Sequence, residues 1–176
     1  VTNLGADLAL AFCNKLSELE GFDPSFDPKT GKCDFAKNGF RIPSEAEWEY
    51  ACRAGSKTHF NTGNTESDLD KAGWYIKNSG GKTHPVAQKK PNAWGLYDMH
   101  GNVWELCYDG MPQDTGYYAY EPQSAKDPAW DKYFDLRVTR GGGWFSEACD
   151  CRSALRGSFW TGGGNYYIGF RVVRRP

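Results

Sequence analysis

The sequence has neither a long hydrophobic run nor a marked excess of charge of either sign. Its longest uninterrupted apolar stretch, residues 8–13, is far too short to span a bilayer. Over 176 residues the formal net charge is −1, and basic residues adjoin one another only in pairs. We therefore expect no membrane insertion by this domain and no binding to nucleic acid.

The sequence also lacks the spacing patterns of common metal and redox sites. There are three histidines, far apart, and six cysteines, none of them in a C-x-x-C pair. The irregular spacing favours mostly free, partly buried thiols, although an even number also permits disulfides in an exported protein. No signal peptide is visible at Val1.

Glycine and aromatic residues are abundant, with 21 Gly, 7 Trp, 10 Tyr and 10 Phe. This composition is typical of short strands, tight turns and long structured loops, and it argues against a helical bundle. The length suits a single domain over residues 1–176. We find neither an internal repeat nor a linker.

Two helices are predicted in the first third of the chain. The first covers residues 6–20, because Leu8, Phe12, Leu16 and Leu19 recur at helical spacing and share one face. The second begins at a capping box formed by Ser44 and Glu47, after which Trp48, Ala51 and Cys52 form the inward face.

Strands are predicted in the second half of the chain, at residues 103–106, 136–140 and 168–173. The stretches 56–91, 110–134 and 144–167 are predicted to be irregular, and 110–134 is rich in aromatic residues. The pattern indicates an α+β protein with helices on one side of an antiparallel sheet.

Five runs carry a family resemblance: GFRIPSEAEWEYA (39–51), GLYDMHGNVWE (95–105), RGGGW (140–144), CRSA (151–154) and IGFR (168–171). Their order and spacing resemble the formylglycine-generating-enzyme (sulfatase-modifying factor) family over nearly the whole chain. The resemblance implies a C-type-lectin-like α+β fold, with two helices packed on small twisted antiparallel sheets and much irregular loop. The resemblance begins after the family's usual N-terminal portion.

The resemblance does not extend to the family's catalytic cysteines. Those enzymes bind copper through a cysteine pair whose first member closely follows the run matched by Trp144, and that cysteine is absent here. Cys149 and Cys151 do not restore the spacing. We therefore expect no copper and no catalysis. An oxidase acting on a cysteine-containing peptide through Cys149 or Cys151 is the alternative, and a calcium-dependent lectin is a third.

The same resemblance implies a structural Ca²⁺ site in the turn 98–105. The matching ligands are the side chains of Asp98 and Glu105 and the backbone carbonyls of Gly101 and Val103. Oxygen ligation by carboxylates and carbonyls suits Ca²⁺. Alternatively, the two carboxylates only accept hydrogen bonds from turn amides.

The segment 143–167 has the composition of a binding surface. It contains no Lys and no Pro, and Gly, Ser, Tyr, Trp and Phe dominate it, as in antibody paratopes. The alternative is a purely structural aromatic loop. The candidate contact residues are Phe145, Ser146, Glu147, Asp150, Leu155, Ser158, Phe159, Trp160, Thr161, Tyr166 and Tyr167.

A second resemblance is to variable proteins of diversity-generating retroelements, which rewrite adenines near the end of a gene and whose products often end in IGFR. Residues 12–21 are similar to those of the Treponema type. The resemblance implies a variable region of about 140–171. It also implies an unknown macromolecular or surface ligand, and a location at the cell surface or outside the cell, with a lipid anchor in a preceding segment.

Overall fold

The computed structural model describes residues 2, 5–111 and 135–175. The helices are α1 (Ala6–Leu19), α2 (Glu45–Arg53) and α3 (Glu66–Ala72), and a 3₁₀-helix covers Ala148–Cys151. The strands are β1 (Gly73–Trp74), β2 (His100–Gly101), β3 (Trp104–Gly110), β4 (Leu136–Arg140), β5 (Arg156–Trp160) and β6 (Ile168–Gly169). The predicted aromatic-rich loop lies outside the described residues from residue 112 onward.

The main sheet contains four strands in the order β5-β4-β3-β6. The β3–β4 and β4–β5 pairs are antiparallel, as expected, whereas the short β6 joins β3 in parallel. β1 and β2 form a separate parallel pair. The predicted strand 168–173 is therefore shorter than expected, and its last residue instead makes an isolated bridge between Val173 and Arg41.

Helix α1 packs against the main sheet through its smaller side chains. Its buried residues are Ala6, Ala9, Leu10, Cys13 and Ser17, and the first four join a core with Leu106 of β3 and Phe159 of β5. The apolar face predicted from sequence points outward: Leu8 is 64% exposed, Phe12 50% and Leu19 72%. Small side chains let a helix approach a sheet closely, which explains why they face the core here.

Helix α2 begins as predicted. The Ser44 hydroxyl accepts a hydrogen bond from the Glu47 amide, and the Glu47 carboxylate accepts one from the Ser44 amide at 2.8 Å. Arg41 holds the same carboxylate through two contacts of 2.6 Å. Trp48 and Cys52 are fully buried, so the predicted inward face is confirmed for these two residues.

Four elements lie in segments that were predicted to be irregular: α3 and β1 within 56–91, and the 3₁₀-helix and β5 within 144–167. Helix α3 has a capping box of its own, in which Thr65 pairs with Asp68. Its seven residues are too few to show a helical period, and the third helix was therefore missed. Strand β5 lies inside 144–167, where glycine and serine obscure the alternation of a strand.

A buried ion network joins α2 to the sheet. Arg140 of β4 donates to Glu49, and its Nε lies 2.9 Å from Glu45 Oε1, at an angle that makes no hydrogen bond. Arg156 of β5 contacts both oxygens of Glu45, at 2.6 and 2.7 Å. The guanidinium of Arg140 also donates to the carbonyls of Ser153 and Leu155, at 2.7 and 3.0 Å.

All six cysteines carry free thiols, in agreement with the interpretation favoured from their spacing. Cys149 alone among them is exposed. Among the described residues, no helix combines the length and apolar character needed to cross a membrane.

We predict that Arg140→Met destabilises the protein by about 3 kcal/mol, because it breaks a buried ion network and removes the donor of the Ser153 and Leu155 carbonyls. Glu45 and Glu49 keep their pairs with Arg156 and Arg53. Chemical denaturation followed by circular dichroism measures the loss of stability. The control is Lys15→Met, which removes an exposed ion pair with Glu18 and should change the free energy of unfolding by less than about 1 kcal/mol. Equal effects of the two substitutions would contradict the assigned role of Arg140.

Candidate functional site

The backbone of the candidate segment is fixed to the rest of the protein at several points. The Trp144 amide donates to the Asn102 carbonyl at 2.8 Å, and the Ser79 hydroxyl donates to the Trp144 carbonyl at 2.7 Å. The Ile76 amide donates to the Ser146 carbonyl at 3.1 Å. Hydrogen bonds therefore anchor the backbone at the start of the segment, although the segment contains little regular structure.

Four aromatic side chains form a continuous row, here called the aromatic ladder: Trp144, Phe145, Tyr167 and Tyr166. Their successive ring centroids are 5.3, 5.1 and 5.5 Å apart, in edge-to-face geometry. Phe145 and Tyr166 are exposed, while Trp144 and Tyr167 are half-buried. Edge-to-face packing restrains the rings and leaves a rigid apolar surface facing solvent.

Trp160 forms a second exposed aromatic site at the end of β5, with 59% of its surface accessible. Its indole lies against Gly162, where a Cβ atom would come within 2.4 Å of the ring. The Thr161 amide and hydroxyl both donate to the Asp135 carbonyl, at 2.8 and 3.1 Å. Glycine at position 162 thus provides the space in which the indole rests.

Two of the predicted contact residues are buried, which corrects their assignment. Ser146 is 4% exposed, and its hydroxyl accepts a hydrogen bond from the Gly143 amide at 3.0 Å, closing a turn. Phe159 is 8% exposed and packs in the core beneath α1. Both belong to the framework, because alternation along β5 directs Phe159 to the opposite face from Ser158 and Trp160.

The other nine candidates retain accessible surface. Two of the three large exposed side chains belong to the aromatic ladder, and Trp160 is the third. At least partial exposure is shared by Phe145, Glu147, Asp150, Leu155, Ser158, Trp160, Thr161, Tyr166 and Tyr167. From sequence alone, Trp144 is assigned to the framework, because it belongs to the RGGGW run. In the structure its indole contacts Phe145 and forms one end of the aromatic ladder. The adjacent aromatic residue at position 145 is the sequence feature that indicates this contact.

The thiols proposed for the oxidase alternative face different environments. Cys149 is exposed and Cys151 is fully buried. The sulfur of Cys151 lies against Gly142, where a Cβ atom would come within 2.6 Å of it. Burial raises the pKa of the Cys151 thiol. Cys149 and Cys151 therefore do not form a pair of thiolates at the surface.

A buried Cys–His contact occurs elsewhere, between Cys52 and His100. The thiol sulfur lies 3.7 Å from Nε2, and both side chains are fully buried. Nε2 accepts a hydrogen bond from the Asn61 amide, and Nδ1 donates to the Cys151 carbonyl at 2.8 Å. Burial raises the pKa of Cys52 to about 12 and lowers the pKa of His100 to about 4. The pair is therefore neutral near pH 7.

The turn with the expected Ca²⁺ ligands offers one unpartnered carboxylate oxygen. Asp98 Oδ2 accepts a hydrogen bond from the Ala87 amide at 2.8 Å, whereas Oδ1 is buried with no hydrogen-bond partner. Arg171 contacts both oxygens of Glu105, at 2.6 and 2.7 Å, and Trp48 Nε1 donates to one of them at 2.6 Å. Oδ1 of Asp98 is therefore available to bind a cation. Both oxygens of Glu105, by contrast, already form an ion pair with Arg171.

Within the described ranges, no group of three or more His, Cys, Asp or Glu side chains is placed to hold a metal ion. The Ca²⁺ site expected from the resemblance has only two carboxylates, and its other ligands are the carbonyls of Gly101 and Val103. The expected Ca²⁺ site therefore stays a prediction.

Comparisons with known proteins agree on the family. The model of the sulfatase-modifying factor enzyme 1-like domain matches residues 1–176. Among solved structures, variable protein 1 of Treponema denticola superposes with a TM-score of 0.84 and 33% identity, covering all of this chain and 71% of that one.

Two curated relatives extend the comparison. Chaperone protein LppX of Paenibacillus barcinonensis is 30% identical over an alignment of 200 positions, which covers 94% of this chain and 66% of that protein. The formylglycine-generating enzyme of Thermomonospora curvata is 32% identical over 154 positions, covering 78% of this chain and 50% of the enzyme. The chain thus spans between half and two thirds of these relatives. It belongs to the sulfatase-modifying factor enzyme 1-like family, and it has the α+β, C-type-lectin-like fold of that family.

Proposed function

We propose that this protein is a non-catalytic module that binds a macromolecular or surface ligand through a diversified C-terminal surface. The observation that carries the proposal is the group of exposed aromatic side chains, which lie on the aromatic ladder and at Trp160. Hydrogen bonds to the framework hold the backbone beneath them. Rigid aromatic anchors provide contact area at a low cost in conformational entropy.

The proposal includes the origin and location of the surface. The variable region of about 140–171 would be diversified by a retroelement, and the protein would be displayed at the cell surface or exported with a lipid anchor. Similarity to variable protein 1 of Treponema denticola over the whole chain supports this. The burial pattern of the segment also supports it. Candidate contact positions with accessible surface alternate with buried positions such as Ser146 and Phe159, so the surface could vary without changing the core.

Two observations support binding without a chemical step. Phe145 follows Trp144 near the position where the resemblance implies a copper-binding cysteine, and its ring is part of the aromatic ladder. Cys149 and Cys151 lie in different environments, one exposed and one buried. We therefore propose no copper site.

We further propose that the module holds a structural Ca²⁺ ion in the turn 98–105. Asp98 would contribute its unpartnered Oδ1, Gly101 and Val103 their backbone carbonyls, and Glu105 a carboxylate shared with Arg171. The ion would compensate a buried carboxylate oxygen that the protein leaves without a hydrogen bond.

Sequencing the 3′ end of the gene, and of any near-copy beside it, across many isolates tests diversification. We expect substitutions at the nine candidate positions that keep accessible surface, and each should match an adenine in the near-copy. Ser146 should stay small and Phe159 apolar, because both are buried. An unvarying C-terminal region, or equal variation at buried and exposed positions, would exclude the proposed origin.

The aromatic surface is tested with the triple variant Phe145→Ala, Trp160→Ala and Tyr166→Ala. The probe is a set of peptides selected on the wild-type protein from a phage-displayed library of random dodecapeptides. We expect affinities to fall by about 30-fold or more, since aromatic anchors each contribute about 2 kcal/mol or more at binding hot spots.

The matched control for that variant is Tyr50→Ala, Trp94→Ala and Tyr97→Ala, which removes three similarly exposed aromatic side chains outside the variable region. Its affinities should stay within about twofold of wild type, and both variants should keep the native circular dichroism spectrum. Peptides that depend on the control residues, and tolerate the loss of Phe145, Trp160 and Tyr166, would refute the assigned surface.

Calcium binding is tested by titrating Ca²⁺ into chelator-treated protein while the melting temperature is followed. Saturation to 100 times Kd should stabilise the fold by about 2.7 kcal/mol, or several degrees for a domain of this size. Asp98→Asn should weaken the response, since it removes a charge but tolerates the left-handed backbone at this position (φ 56°). If the melting temperature does not change with Ca²⁺ concentration, the proposed Ca²⁺ site is wrong.

A further inference from the structure

Strand β5 lies at an edge of the main sheet, inside the variable region. The sheet order places β5 first, next to β4 alone. The pairing runs in unbroken antiparallel register from Leu136 opposite Trp160 to Arg140 opposite Arg156. The other side of β5 therefore has no neighbouring strand among the described residues.

The register shows which backbone groups of β5 point to the open side. The Thr161 amide donates to the Asp135 carbonyl, so this pair, one step beyond the ladder, is hydrogen-bonded. Hydrogen-bonded and non-bonded pairs alternate along an antiparallel ladder. Residues 157 and 159 therefore bond to β4, while Ser158 and Trp160 direct their N–H and C=O groups outward.

A second contact confirms this phase. The Leu136 carbonyl accepts a hydrogen bond from the Met111 amide, on the side of β4 that faces β3. The backbone groups of Leu136 thus point away from β5, as expected if its partner Trp160 is a non-bonded residue. Two independent hydrogen bonds give the same assignment.

The two residues with outward backbone groups keep solvent exposure, and their strand has few features that block pairing. Ser158 is partly exposed and Trp160 is exposed. In the described part of the chain, no backbone group outside β4 pairs with either residue. β5 contains no Pro and no Lys, two residues that commonly protect edge strands. Its one charge, on Arg156, is held by Glu45.

We propose that the outer edge of β5 binds an extended segment of a protein ligand as an added strand. The segment would exchange hydrogen bonds with the outward N–H and C=O groups of Ser158 and Trp160, and the Trp160 indole would pack against one of its side chains. This inference rests on the proposed function and names its ligand class: a polypeptide with an accessible extended segment.

The backbone chemistry favours a polypeptide over other ligands. Outward N–H and C=O groups spaced two residues apart match the repeat of another strand, and a strand added to a sheet edge uses this recognition. Main-chain bonds do not depend on side-chain identity. Affinity from the edge would therefore persist while substitutions at Ser158 and Trp160 change specificity.

A second copy of this chain is a weaker match to the edge. Stable homodimers bury large, apolar interfaces, and Trp160 is the one large hydrophobic side chain of β5 that is exposed. In an antiparallel β5–β5 pair centred on Ser158, small hydroxyl side chains would meet at the axis. A narrow peptide strand needs only the edge and the adjacent indole.

The test compares Ser158→Pro with Ser158→Ala, using the peptides selected on the wild-type protein. Proline removes the outward amide, which an edge strand tolerates, whereas alanine removes only the hydroxyl. We expect Ser158→Pro to weaken binding about tenfold or more, as for loss of a buried hydrogen bond. Ser158→Ala measures what the side-chain hydroxyl contributes to binding, and we expect Ser158→Pro to bind about tenfold more weakly than Ser158→Ala. Equal affinities for the two variants would overturn strand addition.

Amide exchange on the unmodified protein provides a second readout that does not depend on the folding of the proline variant. A bound peptide should slow exchange at the Ser158 and Trp160 amides. Unchanged exchange at both, or protection in the free protein together with a dimeric mass, would overturn the proposal.

The two proposals can fail separately. If the Phe145, Trp160 and Tyr166 variant loses binding while Ser158→Pro keeps it, the aromatic surface stands and strand addition is wrong. Failure to select any peptide would also remove strand addition, whereas the isolate sequences would still test the diversified surface.

Discussion

The buried guanidinium of Arg140 is the contact on which the position of the C-terminal segment depends. A buried charge must be paired and hydrogen-bonded, and Arg140 meets this need through Glu45 and Glu49 of α2. Its remaining donors bond the carbonyls of Ser153 and Leu155. One buried side chain therefore joins α2, the sheet and the backbone at Ser153 and Leu155, in the middle of the proposed variable region.

The same separation extends through the whole segment. Asn102 and Ser79 bind the backbone of Trp144 rather than its indole, and β4 holds β5 through main-chain pairing. Most exposed side chains can then change without removing a bond to the framework; Thr161, whose hydroxyl donates to the Asp135 carbonyl, is an exception. Residues that do carry structure, such as Ser146 and Phe159, are buried, and this divides one contiguous stretch of sequence into two roles.

The family resemblance extends to the fold more fully than to the chemistry. Cys52 and His100 are in contact but buried and neutral near pH 7. Cys151 packs against Gly142, and Cys149 reaches solvent alone. A fold can serve unrelated functions, because function resides in the site that it carries. In this protein the rigid, aromatic C-terminal surface is the feature that the framework presents to solvent.

Local signals determined the elements whose stabilising contacts are close in sequence. Ser44 and Glu47 predict the start of α2 because a capping box is closed within one turn, and alternation predicts β4 with the bounds observed. Tertiary packing decided the rest. The large side chains of α1 face outward because its small ones fit against the sheet, and Phe159 is buried because β5 joins β4. The outward direction of the Ser158 backbone groups depends on the order of the strands and on which residue pairs are hydrogen-bonded. Both arise from pairing between distant segments, so the local sequence does not indicate them.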